Sequence, residues 1–145
     1  MPHRFRMAIP VFTLALAISA AFQANAQGAV KQVLGTPTRT LSPAVRIGDL
    51  IFVSGHIGGG DSTIQGQTTN ALTTIKNILE AAGSAMTSVV KCTVFLIDVK
   101  DFAGMNQSYA AMFPKDPPAR STLVVAALVV PTGKVEIECI ASAAK

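Results

Sequence analysis

Tryptophan is absent from this chain of 145 residues, tyrosine occurs once, and charged residues make up only 14%. So small a supply of aromatics, with a formal charge of only +4, argues against a surface built to hold nucleic acid. Histidine and cysteine occur twice each. There is no C-x-x-C and no Cys/His cluster, so the sequence offers no dithiol redox motif and no metal site. The three consecutive glycines Gly58 to Gly60 lack the G-x-x-x-x-G-K-[ST] pattern and read as a flexible turn rather than a phosphate cradle. Beyond residue 26 every apolar run is broken within about ten residues by charge, Gly or Pro, and none is long enough to span a bilayer.

What is present begins with a leader. Arg4 and Arg6 form a basic head, an apolar run follows from Met7 to Phe22, and the small residues Ala24-Asn25-Ala26 close it. This is the layout of a secretory signal peptide with an A-x-A cleavage site. The run is short for a membrane anchor and Pro10 interrupts it. We therefore expect a signal peptide over residues 1–26, a single domain over residues 27–145, and a periplasmic or secreted product with no membrane attachment after cleavage. Losing the two arginines lowers the already mild positive charge by two.

The mature chain reads as one α+β unit without repeats. Gln27 to Thr40 is polar and glycine-containing, a loose arm or a short edge strand. Ala44–Ile47 and Leu50–Ser54 flank the turn dipeptide Gly48-Asp49 and predict a hairpin. From Thr63 to Ala82 the residues Ile64, Ala71, Leu72, Ile75, Ile78 and Leu79 recur at helical spacing, and Gly83 marks the stop. Val89 to Ile97 is β-branched and aromatic, hence a strand. Asp98 or Asp101 can cap a second helix with a face of Phe102, Met105, Tyr109, Met112 and Phe113, which Pro114 ends. Two long strands, Ser121–Val129 and Val135–Ala143, complete the order ββ-α-β-α-ββ. Two helices cover one face of such a sheet, so the bare face calls for other subunits.

Arg120 stands at the mouth of an apolar strand in PPARSTLVV, ahead of Glu136 and Glu138 in KVEIECIA. A permanent cation there needs an anion. Either a glutamate on the next strand neutralises it, or it grips a small carboxylate with a glutamate left free for proton transfer. Glu138 shares the strand face of Glu136 by alternation and suits subunit or surface pairing. Cys92 and Cys139 lie in strand-like runs. An oxidising compartment would permit a disulfide, but cysteine packs as a small hydrophobe, and two buried free thiols are expected. His56 follows Ser54-Gly55, yet no acid is placed to orient it, so lining or loop hydrogen bonding is its expected role. Asn106 and Tyr109 are expected to be structural.

VSGHIGG, N-x-x-x-x-L-x-x-A-G, DF-x-x-M-N-x-x-Y, PPARST and KVEIECIA, in this order, resemble the RidA/YjgF family of small imine and enamine deaminases. The resemblance implies a chorismate-mutase-like fold whose sheet packs into a homotrimeric barrel with clefts between subunits. It implies hydrolysis of 2-imino acids or enamines to 2-oxo acids and ammonia, with no cofactor and no metal. Residue by residue, Arg120 corresponds to the carboxylate clamp, Glu136 to the glutamate that positions or activates water, and Ser54, Gly55 and Thr122 to substrate-binding positions. The family's tyrosine in the first short strand is Ala44 here, and its cysteine two places after the arginine is Thr122. The alternative of the same fold is a non-catalytic trimer that binds a small carboxylate or a protein.

Overall fold

The computed structural model describes residues 29–143; the leader lies outside them. Six strands form one sheet in the order β1-β2-β3-β6-β4-β5. They are β1 (Gln32–Leu34), β2 (Ala44–Ile47), β3 (Leu50–Ile57), β4 (Val89–Leu96), β5 (Ala119–Val124) and β6 (Val135–Ser142). The helices α1 (Ile64–Ala81) and α2 (Phe102–Met112) follow β3 and β4. Only β4 and β5 pair in parallel, as a strand-helix-strand crossover requires. The expected α+β order is present, with the arm before Thr40 contributing the edge strand β1.

Local chemistry sets the boundaries. Gly48 adopts φ 55° in the β2–β3 turn, where a side chain would be strained. Thr63 caps α1 by accepting from the Gly66 N–H at 3.0 Å, and Asp61 in turn accepts from Thr63. At the other end Gly83 is left-handed, with Gly83 N–H donating to Glu80 O and Ser84 N–H to Leu79 O, a Schellman stop. The second helix differs from expectation: Asp98 caps the preceding 3₁₀ turn by accepting from Lys100 N–H at 2.9 Å. Asp101 makes no cap hydrogen bond and instead pairs with Lys134 at 3.7 Å.

The strand after Pro118 is also shorter than the apolar run suggested, because β5 ends at Val124. Its single neighbour β4 ends at Leu96, and Val125 N–H donates to Leu96 O as the final rung. Past that point the backbone has no strand to pair with, and Val129 projects 91% exposed.

The core lies on one face of the sheet. Ile51 and Val53 of β3, Cys92, Val94 and Leu96 of β4, and Val135, Ile137, Cys139 and Ala141 of β6 are buried against Leu72, Ile75, Leu79, Met105 and Tyr109 of the helices. The alternate residues form the other face, where Ile47, Leu50, Phe52 and Leu123 remain exposed. Cys92 and Cys139 are joined in a disulfide, which corrects the expectation of free thiols. The register places them directly opposite each other on β4 and β6, both directed into the covered face, and neither strand's own sequence reveals that pairing.

Candidate functional site

Alternation along β5 and its register against β4 decide where Arg120 goes. Arg120 stands opposite Cys92, and Thr122 opposite Val94, so both point to the helix-covered side. There the guanidinium lies 4.6 Å from the Tyr109 ring centroid and 5.9 Å from that of Phe102, within cation–π range. Nη1 also approaches the Met105 sulfur at 3.8 Å. Neither Glu136 nor Glu138 pairs with it, since the ion pairs among the described residues are Lys76–Glu80, Lys115–Asp116 and Lys134–Asp101. The salt-bridge reading of Arg120 is thereby overturned. A cleft of about 430 Å³ opens beside it, lined by Asn106, Tyr109, Ala110, Phe113, Pro117 and Pro118.

Asn106 and Tyr109 were expected to be structural, yet both face this cleft. The signal for them was their i, i+3 spacing, which puts a polar and an aromatic side chain on one helix face. Tyr109 also stacks on Phe113 at 4.8 Å. Burial pushes its phenol up to about 12, partly opposed by the nearby Arg120 charge. It therefore remains neutral, a π-face for the cation.

Glu136 lies on the opposite face. It is paired with Phe95 on β4 and Ile57 on β3, out of phase with the buried Val135 and Ile137. A register shift between Val53 and His56 brings Gly55 against it, so closely that a Cβ on Gly55 would collide with Oε1 of Glu136. This contact explains the glycine. Ser54 is committed to structure, its Oγ donating to Ser42 O at 2.7 Å and its N–H to Pro43 O at 3.0 Å. His56 pairs with Ile137, and burial lowers its imidazole below the ordinary 6.5. Its Nε2 is buried without a hydrogen-bond partner. Ala44 is in the core at 1% exposure. Glu138 is exposed beside Thr93.

Of the sequence-predicted residues, one chain thus assembles two separate groups. Arg120 and Thr122 are on the helix side of the edge strand β5; Gly55 and Glu136 meet on the open face, where β3 is irregular next to Ser54. Among the described residues no cluster of His, Cys, Asp or Glu could hold a metal ion.

The family model described as Endoribonuclease L-PSP matches residues 31–143. The chain is 42% identical over 108 residues to Reactive Intermediate Deaminase A, chloroplastic, of Arabidopsis thaliana, covering 70% of this chain and 57% of that one. It is 41% identical over 107 residues to the 2-iminobutanoate/2-iminopropanoate deaminase of Capra hircus, covering 69% and 77%. A solved YjgF-family structure from Mycobacterium tuberculosis superposes with a TM-score of 0.73 at 31% identity, covering 78% of this chain and 99% of that one. Matched in sequence and in fold over nearly all of its described length, the chain belongs to the RidA/YjgF (endoribonuclease L-PSP) family.

Proposed function

We propose that this protein is an imine/enamine deaminase, hydrolysing reactive 2-imino acids to 2-oxo acids and ammonia in clefts formed between copies of the chain. One observation carries the reading. Arg120 presents a guanidinium that no carboxylate of the described residues neutralises, held on an aromatic platform beside an open cleft. Relatives named as deaminases of reactive intermediates and of 2-iminobutanoate/2-iminopropanoate supply the chemistry.

The guanidinium fork would hold the substrate carboxylate through two parallel hydrogen bonds. The C=N carbon is already electrophilic, so the protein's task is orientation and delivery of water. Glu136 would accept a proton as water adds to that carbon, and return it to nitrogen as the C–N bond breaks and ammonia leaves. Ser54, Gly55 and Thr122 would line the site, without a cofactor.

Arg120 and Glu136 face opposite sides of one sheet, so a complete site would take them from two chains. A homotrimer would supply both. The bare sheet face carries Ile47, Leu50, Phe52 and Leu123, and the exposed apolar segment around Val129 continues from the edge strand. Packing three bare faces together would bury this surface and set one copy's Arg120 beside the next copy's Gly55 and Glu136. The basic-apolar-small leader supports export, with residues 27–145 acting in the periplasm or outside the cell.

A coupled assay for imine hydrolysis on purified residues 27–145 tests the activity. Turnover is expected. Tight 2-oxo-acid binding without turnover would instead favour the non-catalytic carboxylate-binding trimer.

A further inference from the structure

Resting on the deaminase reading, we infer that Gln67, on the first turn of α1, is the positioning residue for Glu136. Gln67 is 2% exposed; the other polar side chain buried on this helix, Thr68, satisfies its hydroxyl within the helix by donating to Ile64 O at 2.7 Å, whereas Gln67 reaches outside it. Its Nε2 donates to Asp61 O at 2.9 Å and to Thr132 O at 3.0 Å, and its Oε1 accepts from Lys134 N–H at 2.7 Å. Both amide protons are used. The last two bonds grip the backbone turn that feeds β6, and Glu136 is the second residue after Lys134.

The same residue also fixes the other strand beside the acid. The backbone carbonyl of Gln67 lies so close to Gly58 that a Cβ there would collide with it, and Gly58 N–H reaches Val135 O at 3.5 Å. Gly58 directly follows the stretch Gly55–Ile57 that packs against and pairs with Glu136. The buried amide therefore holds the turn into β6, while the helix backbone at the same residue abuts the end of β3 beside the acid, and neither touches the carboxylate. A side chain needed only for the helix would not require three long-range or loop backbone partners; an apolar residue fills such a site at lower cost.

The experiment compares wild type, Gln67→Leu, Gln67→Glu and Ala71→Gly, the last a destabilising change one turn further along the same buried helix face. All are measured in the full mature protein, at a temperature where each is folded. Gln67→Leu is expected to lower kcat about tenfold or more, as misplacement of a catalytic group does, with KM changed less than about twofold because Arg120 is untouched. Gln67→Glu keeps the acceptor for Lys134 N–H and should recover part of the loss. Ala71→Gly should leave kcat as it is. The NMR signals of the Glu136 carboxyl carbon and the Gly55 amide should move in Gln67→Leu while the Arg120 Nε signal stays in place. Wild-type kcat in Gln67→Leu, or an equal loss in Ala71→Gly, would overturn the assignment; so would unmoved Glu136 and Gly55 signals. The NMR readout does not require turnover, so an inactive wild type would refute the deaminase reading and still leave the positioning of Glu136 decided.

Discussion

Arg120 is fixed by aromatic faces rather than by a counter-charge, which makes its role separable from folding. Arg120→Lys keeps a cation over Tyr109 but cannot form the two parallel hydrogen bonds of the fork. Losing a charge-assisted hydrogen bond costs about 1.5–3 kcal/mol, so kcat/KM should fall roughly tenfold to a hundredfold with the melting temperature little changed. Steady-state kinetics beside thermal melts check this. A large drop in melting temperature with intact turnover would assign Arg120 to structure. His56 gives a prediction of a different kind. Its folded pKa is lowered by burial, so the neutral form's contribution to stability is complete above the unfolded value of 6.5. It is lost as pH falls through that value toward the folded one, where the unfolded state binds the extra proton. Stability should decline as pH falls below 6.5, and His56→Gln should flatten that slope in melts across the acid range.

At the scale of elements, the disulfide and the β3 bulge are the features with testable weight. Closing 47 residues between Cys92 and Cys139 restricts the unfolded chain by about 4 kcal/mol on the loop-entropy account. The Cys92→Ala/Cys139→Ala double variant should lose most of that in denaturant unfolding, and reductant should then have no further effect on it. Gly55→Ala should do the reverse. Its new methyl meets the flexible end of Glu136, so the carboxylate can swing aside at small cost in stability but at large cost in activity, read as kcat against melting temperature. The elements themselves were legible because they are local: helical spacing from Ile64 to Leu79, alternation in Val89–Leu96 and Val135–Ser142, and Gly48 and Gly83 at their turns. The pairing between them was not. Register alone joins Cys92 to Cys139 and sends Arg120 and Glu136 to opposite faces, and it depends on which strands become neighbours. Asn106 and Tyr109 fell to the same limit, since a helix face shows which residues lie together but not what they face.

For the whole molecule, the bare sheet face and the division of the site make assembly the central claim. Light scattering on residues 27–145 should give three times the chain mass, and N-terminal sequencing of exported protein should begin at Gln27. The composite site has a sharper consequence than either. In the proposed cyclic trimer each cleft would take its arginine from one chain and its glutamate from the next. Arg120→Ala and Glu136→Gln variants, each inactive alone, can therefore complement when unfolded, mixed in equal amounts and refolded together. Random assembly gives about a quarter of the clefts both native residues, so the mixture should regain about that share of wild-type imine hydrolysis. A mixture as inactive as its two parents, despite forming trimers, would contradict a site shared between subunits.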